Sequence, residues 1–421
     1  MTHEYQRLKI QIFKTNYSKQ FFILVFCIFA LPVFDVLTGA FFKLGIMSEG
    51  TLGSPSQVGR LIALFLLIFF IFNSKIKNST KRNIFYFIAY FLFIEVGVAI
   101  LHKQLVPFLS GVVFFSKFLF CILVYVFLKD WVNKSILNYD LFFRLIISYG
   151  VVLSVLLMTA FLSGFHISNY GSKFATRGLF ASGNGIGITI GIASLLSLYY
   201  YYRSRRSLYY FLGFFMIICT AVIGTKTAFL FILLSGFFLI FLSVRNFPIL
   251  TLILLTLVVT YILPILIEAL ALVFENIIFK YNKIDDKSVL LASSRDVFIQ
   301  HAFDKLNLEG FSSFSVLFGG GAYFAYESFL FPIELKRKFL ENDLFELFFC
   351  YGLTPALAYL FYLGSSIVRG TFSKKYFLSF CLFLVSLHSL LAGHVLFNGT
   401  SSIMLVFILL LIKSPFHIQK Y

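Results

Sequence analysis

Long apolar runs separated by short polar segments make up most of the chain. Twelve of these runs are long enough to cross a hydrocarbon core about 30 Å thick, which requires about 20 helical residues each. They cover residues 21–42, 58–73, 84–101, 105–128, 141–163, 178–202, 208–224, 227–244, 247–274, 343–364, 376–393 and 396–413. The pattern predicts an all-α, polytopic membrane protein with about 12 transmembrane helices and one large external loop that contains short helices.

The polar segments divide the chain into three predicted parts. Residues 1–274 carry transmembrane helices 1–9, residues 275–342 form the large extracytoplasmic loop, and residues 343–421 carry helices 10–12 and a short cytoplasmic tail. The stretch 208–244 contains no charge except Lys226, and it is far too long for one crossing at about 1.5 Å per residue. It is therefore predicted to form a hairpin that turns at 224–227.

Composition and basic residues together predict the orientation. The chain is 60% hydrophobic and only 13% charged, which excludes a soluble globular protein. If the N-terminus is cytoplasmic, 20 of the 35 Lys and Arg residues lie in or beside inner segments, as the positive-inside rule requires. Both termini are then cytoplasmic and the large loop lies outside. The net charge of +17 is read as a topology signal and not as a sign of nucleic-acid binding.

Acidic residues concentrate in the large loop and at its borders. Between Glu268 and Glu346 lie 12 of the 18 Asp and Glu residues, more than a simple connection between helices needs. Within the loop, Ser293 and Ser294 resemble a helix N-cap and precede apolar positions at helical spacing over 297–306. A short helix on the outer membrane surface is predicted there.

Three cations are predicted to lie on the outer side. Arg177 begins an apolar helix, Lys226 occupies the hairpin turn, and Arg295 lies in the large loop. Together they suit a diphosphate, because Arg offers a bidentate fork and Lys a point charge. A structural interpretation stays open for two of them. Arg177 could extend to the lipid head groups, and Arg295 could pair with Asp296 or with another acid of the loop. A lone lysine near lipid is costly, which favours a functional role for Lys226.

Other outer-side residues each have two interpretations. Glu341 and Asp343 open an apolar helix, where one carboxylate could act as general base towards a hydroxyl or both could stabilise the helix N-terminus. The run Gly319-Gly320-Gly321 permits either a tight turn or the close approach of a ligand. His394 is either a helix-end residue that bonds a neighbour or a contact to substrate.

Motifs of nucleotide and metal enzymes are absent from the sequence. There is no G-x-x-x-x-G-K-[ST] loop, no Rossmann glycine fingerprint beside a strand and no H-E-x-x-H motif. The five cysteines have no paired spacing, so neither a disulfide framework nor a zinc site is indicated. No cofactor and no metal is predicted, and an activated group should arrive on a lipid.

The order of these features resembles the O-antigen ligase and polymerase superfamily, specifically the Wzy-type polysaccharide repeat-unit polymerases. The matching elements are Arg177-Gly178-Leu179-Phe180 with Asn184, the helix break Gly224-Thr225-Lys226-Thr227, Ser294-Arg295-Asp296, Phe318-Gly319-Gly320-Gly321, and Glu341-Asn342-Asp343-Leu344-Phe345-Glu346 with Gly352-Leu353. Ligases usually show His where this chain has Glu341. Glu with Asp two residues later, and Gly393-His394, look more like the exopolysaccharide and capsule polymerases.

The resemblance implies metal-independent glycosyl transfer at the outer face of the bacterial cytoplasmic membrane. A glycan on undecaprenyl diphosphate would be joined to the non-reducing end of another lipid-linked repeat unit. It implies catalytic roles for Glu341, Asp343 and Arg295, and binding of diphosphate or glycan by Arg177, Asn184, Lys226, Gly319, Gly320, Gly321, Asn342 and His394. The implied partners are undecaprenyl-diphosphate-linked glycans, membrane lipid and a chain-length regulator protein, without nucleic acid.

Three other functions share parts of this pattern. A lipid-linked oligosaccharide flippase or transporter would line a central cavity with charges, for which Glu95, Lys117 and Glu268 are the few candidates at membrane depth. An O-antigen or teichuronic-type glycan ligase would use the same donor with another acceptor. A cell-wall glycosyltransferase of the shape and division type would need a different loop placement. The large outer loop favours the polymerase.

Overall fold

A computed structural model provides the structure of the protein. It describes residues 17–48, 53–103, 105–134, 137–168, 175–246, 299–300, 302–304, 313–322, 340 and 342–414, together with isolated positions between 249 and 268. Within these ranges the chain forms thirteen helices and no strand, and one isolated antiparallel bridge pairs Ser168 with Thr176. The predicted all-α class is confirmed for this part of the chain.

The helices are numbered in chain order. They are α1 (Tyr17–Lys43), α2 (Pro55–Asn73), α3 (Asn78–His102), α4 (Leu105–Asn133), α5 (Tyr139–Leu162), α6 (Gly183–Ser204), α7 (Ser207–Ile223), α8 (Lys226–Asn246), α9 (Ser313–Phe318), α10 (Asp343–Tyr351), α11 (Leu353–Phe372), α12 (Tyr376–Leu391) and α13 (Gly399–Lys413). Seven of them, α1 to α6 and α8, are long and apolar enough to cross a membrane. The apolar helices α7, α12 and α13 are shorter. The protein is therefore membrane-embedded.

The predicted single span 343–364 is wrong, because Gly352 divides it into α10 and α11. Gly352 adopts φ 87°, a conformation that L-residues rarely take. A Cβ at this position would also overlap the carbonyl oxygen of Leu317. The segment before the glycine run therefore packs directly on the helix break. The predicted span 247–274 lies almost entirely outside the described residues.

Replacing Gly352 with alanine should destabilise the protein. The substitution forces an L-residue into a left-handed conformation and pushes its Cβ into the backbone of Leu317, so a loss of about 1–3 kcal/mol or more is expected. Thermal unfolding of the purified protein in detergent measures the effect. Gly364→Ala in α11 is the control, because a Cβ there meets nothing within 4 Å. Equal unfolding temperatures for the two variants would contradict a strained break.

Two helices form the centre of the bundle. Most of α6 is buried, and α13 is buried along almost its whole length and packs against α1, α4, α6, α11 and α12. The outer helices expose large apolar side chains such as Phe65 of α2 and Phe237 of α8, as lipid contact requires. The centre therefore holds the polar groups that lipid would not tolerate.

Lys375, between α11 and α12, forms hydrogen bonds with the C-terminal end of α13. Its Nζ donates hydrogen bonds to the carbonyl oxygens of Leu411 (2.9 Å), Ile412 (3.0 Å) and Ser414 (2.8 Å). Burial, with a contribution from the nearby Arg369, lowers the pKa of Lys375 to about 8. The lysine caps carbonyls that the helix itself leaves unbonded.

The predicted hairpin is confirmed. Helix α7 ends at Ile223 and α8 begins at Lys226. Gly224 takes the left-handed φ of 67° that ends the first helix, and Thr225 Oγ1 accepts a hydrogen bond from the Ala228 backbone N at 3.2 Å at the start of the second. Lys226 is therefore the first residue of α8, directly after the turn.

Part of the segment predicted to form the large loop is helical and packs on α10. Residues 299–300 and 302–304 are helical, as the spacing over 297–306 predicted. Ala302 is fully buried, and the Phe303 ring lies 5.0 Å from Phe349 and 6.0 Å from Phe345, measured between centroids. This part of the loop is thus attached to α10 rather than extended into water.

Candidate functional site

Arg177 and Lys226 lie on neighbouring turns, although they are distant in sequence. The Thr176 backbone N donates to the Val222 carbonyl at 3.0 Å, and Ala175 packs directly against Gly224. Gly224 leaves the space that Ala175 occupies, because a Cβ there would come within 2.5 Å of the alanine side chain. Arg177 does not begin the helix as predicted, because α6 starts only at Gly183. The segment before α6 and the α7–α8 turn therefore form one surface.

The two cations differ in their surroundings. Arg177 is half-buried, and its Nη1 donates to the Ala181 carbonyl at 2.7 Å. Lys226 is exposed at the N-terminus of α8, an end of the helix where its charge is unfavourable and an anion is favoured. Lys226 is thus the more accessible of the two for an anionic ligand.

Asn184 lies beside the start of α13. It is half-buried in the first turn of α6, which Ser182 caps by accepting a hydrogen bond from the Gly185 backbone N at 3.2 Å. A Cβ at Gly185 would overlap the side-chain amide of Asn398, the N-cap of α13. The N-termini of the two central helices therefore meet here.

His388 joins the hairpin turn to α12 and was not predicted from the sequence. Thr227 Oγ1 and His388 Nδ1 are 3.2 Å apart, and the tautomer decides which one donates. The histidine is buried in α12, where a polar residue in an apolar helix was the only available signal. Through Thr227 it connects α12 to the residue next to Lys226.

The side chain of Asn342 connects the start of α10 to the end of α12 by hydrogen bonds. Its Oδ1 accepts hydrogen bonds from the backbone N atoms of Leu344 (3.1 Å) and Phe345 (3.2 Å), which makes it the N-cap. Its Nδ2 donates to the Leu390 carbonyl. All three of these hydrogen bonds of the Asn342 side chain, which was predicted to bind substrate, are made to other residues of the protein.

Asp343 is fully buried at the first residue of α10. Its Oδ2 accepts three hydrogen bonds, from Ser389 Oγ (2.7 Å) and from the backbone N atoms of Val395 (3.0 Å) and Leu396 (3.0 Å). These contacts are those of an anchor that fixes the α12–α13 connection to α10. A general base must reach a substrate hydroxyl, so the catalytic role of Asp343 stays a prediction that this geometry does not favour.

His394 sits in a strained connection beside this anchor. Both Gly393 and His394 have φ 61°, and such a conformation is uncommon for a non-glycine residue. The Ser401 hydroxyl donates to the His394 carbonyl, and the half-buried His394 interacts electrostatically with Asp343. Strain of this kind is retained where surrounding contacts impose it, and it concentrates at functional sites.

The glycine run forms the tight turn that was one of its two interpretations. Gly319 and Gly321 have φ 74° and 59°, respectively. The backbone N atoms of Gly320 and Gly321 donate to the carbonyls of Phe349 (2.9 Å) and Cys350 (2.8 Å), which caps the C-terminal end of α10. The run therefore lies at the opposite end of α10 from Asp343, and its role in sugar binding stays a prediction.

Two acids within the long apolar helices have hydrogen-bond partners. Glu95 of α3 accepts a hydrogen bond from the Ala322 backbone N at 3.1 Å, next to the glycine run. Asp35 of α1 accepts from Ser56 Oγ and lies 3.8 Å from Nη2 of Arg60. The Asp35–Arg60 pair was not predicted from the sequence, although an acid and a base inside apolar runs were visible there.

Two predicted catalytic residues, Arg295 and Glu341, lie outside the described residues. Among the residues that the structure describes, no group of three or more His, Cys, Asp or Glu side chains could hold a metal ion. The described part of the site thus consists of Arg177, Asn184, Lys226, Asn342, Asp343 and His394 at one end of the bundle.

Comparison of the chain with protein-family models, with curated proteins and with solved structures gave no match.

Proposed function

We propose that the protein is a polysaccharide polymerase that joins undecaprenyl-diphosphate-linked oligosaccharide repeat units at the outer face of the bacterial cytoplasmic membrane. The observation that carries the proposal is that the segment with Arg177 and the turn with Lys226 lie side by side at one end of a membrane-embedded bundle, where Thr227 also contacts His388 of α12. These residues come from three distant parts of the sequence. A protein does not need such a cluster of polar residues to remain in the membrane. Binding of an anionic, lipid-linked donor does require cations at one place.

The proposed reaction is a displacement at the anomeric carbon of the donor sugar. The acceptor hydroxyl loses its proton to a base, its oxygen forms the new glycosidic bond, and the bond to the lipid diphosphate breaks. The diphosphate leaves with the electron pair, and Arg177, Lys226 and Arg295 stabilise its charge. The burial of Asp343 favours Glu341 as the base.

The proposal includes an orientation of the protein in the membrane. Both termini lie in the cytoplasm, and the cluster faces outward. The excess of Lys and Arg in the inner segments supports this arrangement. An outward site fits a reaction whose activated donor is a lipid already moved across the membrane.

Deletion of the gene in the source organism should abolish long polymer and leave single repeat units on lipid carriers outside the cytoplasmic membrane. The measurement combines polymer length on gels with lectin or antibody labelling of spheroplasts, and plasmid-borne wild-type protein provides the control. Repeat units trapped inside would instead identify a flippase. Polymer of normal length that is no longer attached to its acceptor would identify a ligase.

A further inference from the structure

We propose that Arg60 binds the diphosphate of the lipid-linked substrate, in a second anion site between α2 and the N-terminus of α13. The inference rests on the proposed function for the identity of the lipid, and on the geometry of Arg60 for the anion. Arg60 is 4% exposed and lies in the second turn of α2. An ionised side chain inside a membrane helix is costly unless partners or a ligand compensate it.

The partners of Arg60 are few and distant. Its Nη2 donates to Ser56 Oγ at 3.3 Å, which is long for such a bond, and lies 3.8 Å from Asp35 Oδ1, which is beyond hydrogen-bond range. Its Nε is buried and has no hydrogen-bond partner in the described part of the chain. A guanidinium has five N–H donors, so most of its capacity is left for another acceptor.

Asp35 does not satisfy the remaining donors of Arg60. Its carboxylate already accepts a hydrogen bond from Ser56 Oγ, and its Oδ1 is 3.8 Å from Arg60 Nη2. The buried Nε of Arg60 is therefore left for another acceptor, which an anion would supply.

The guanidinium of Arg60 faces the N-terminus of α13, which is an unfavourable position for a cation. Its Nη2 lies 2.8 Å from the position that a Cβ of Gly399 would take, and Gly399 is the first residue of α13. The N-terminus of a helix carries partial positive charge and N–H groups without intrahelical partners, which repel a guanidinium and attract phosphate. The N-terminus of α6 adjoins this point through Gly185 and Asn398. A guanidinium and two helix N-termini share one anion-binding region.

The surroundings suit a phosphate that remains attached to a lipid. Helix α2 packs on α1 and α4, and its other face is apolar. Directly after Arg60, Leu61 is 45% and Ile62 55% exposed. A polyprenyl chain can lie along this face in the bilayer while its diphosphate reaches Arg60 from the side.

Binding of inorganic pyrophosphate and of undecaprenyl diphosphate tests the proposal. Purified full-length protein in nanodiscs is titrated with each, and the shift of the unfolding temperature gives the affinity. Arg60→Gln should weaken both by about tenfold to a hundredfold, the range for hydrogen bonds to a charged group. Asp35→Asn should tighten both, because it removes the competing carboxylate. Arg144→Gln is the matched control, since Arg144 is half-buried near Tyr200 and Tyr209 at the inner end.

Opposite changes for Arg60→Gln and Asp35→Asn distinguish a ligand site from a structural ion pair. Equal binding by wild type and Arg60→Gln, or equal weakening by both substitutions, would overturn the proposal. If Arg60→Gln does not fold, tighter binding by Asp35→Asn supports the site and unchanged or weaker binding refutes it. An effect on pyrophosphate without one on undecaprenyl diphosphate would refute the lipid as its ligand.

A separate elongation assay keeps this inference apart from the proposed function. If diphosphate binding depends on Arg60 but the wild-type protein does not elongate lipid-linked glycan, the polymerase function is refuted and the anion site is supported. Elongation by the wild type, with unchanged lipid binding in Arg60→Gln, would refute the anion site and retain the polymerase.

Discussion

Lys226→Ala should lower the rate of glycan elongation by about 10²–10³-fold, the range for loss of one group that stabilises charge in a transition state. Lys226 is exposed and is the first residue of α8, beside the turn that carries Arg177. In the proposed reaction, its ammonium stabilises the charge that develops on the departing diphosphate. The measurement is the rate of polymer formation by purified protein supplied with lipid-linked repeat units from the deletion strain.

Two further variants make this result specific. Lys226→Arg keeps a positive charge at the position and should retain much of the activity. Lys43→Ala removes another exposed lysine predicted to lie on the outer side, at the end of α1, and should leave the rate unchanged. A similar rate for Lys226→Ala and wild type would remove Lys226 from the mechanism, and an equal loss in Lys43→Ala would indicate a general effect of surface charge.

Asp343→Ala should destabilise the protein by about 1–3 kcal/mol or more, the cost of leaving a buried hydrogen-bond donor without its acceptor. The substitution leaves Ser389 Oγ and the backbone N atoms of Val395 and Leu396 buried without their acceptor. The connection that holds His394 would then lose its attachment to α10. Thermal unfolding in detergent measures the stability, and hydrogen exchange at 393–397 locates the change.

Asp343→Asn separates anchoring from catalysis. Its amide oxygen can still accept from the same donors, so much of the stability should remain. Elongation by this variant at a rate near that of the wild type would support the anchoring role. Loss of elongation with stability retained would instead support a catalytic role for the carboxylate, as the sequence motif implies.

Features carried by local sequence were predictable. The hairpin turn at Gly224 follows from a stretch too long for one crossing, and the helix start at Asp343 follows from acidic residues at the beginning of an apolar run. The division of α10 from α11 was missed, because the apolar pattern continues through Gly352. What ends the helix is the close approach of Leu317, a contact between distant segments.

The candidate site was predictable in its residue types but not in its arrangement. Polar residues in apolar runs identified Arg177, Lys226 and His394, because charge in lipid is costly enough to mark them. The same reasoning did not single out Arg60, and the resemblance assigned Asp343 a catalytic role. Burial and hydrogen-bond partners decide between such roles, and neither can be read from one position of the chain.

The sequence by itself determined that this is an all-α membrane protein with a polar cluster at the ends of its helices, because hydrophobic run length and charge distribution decide what can cross lipid. Tertiary structure alone decided that Asp343 anchors the His394 connection and that Arg60 faces the N-terminus of α13. These contacts join segments that are up to several hundred residues apart. They depend on how buried helices pack, and local pattern does not encode that packing.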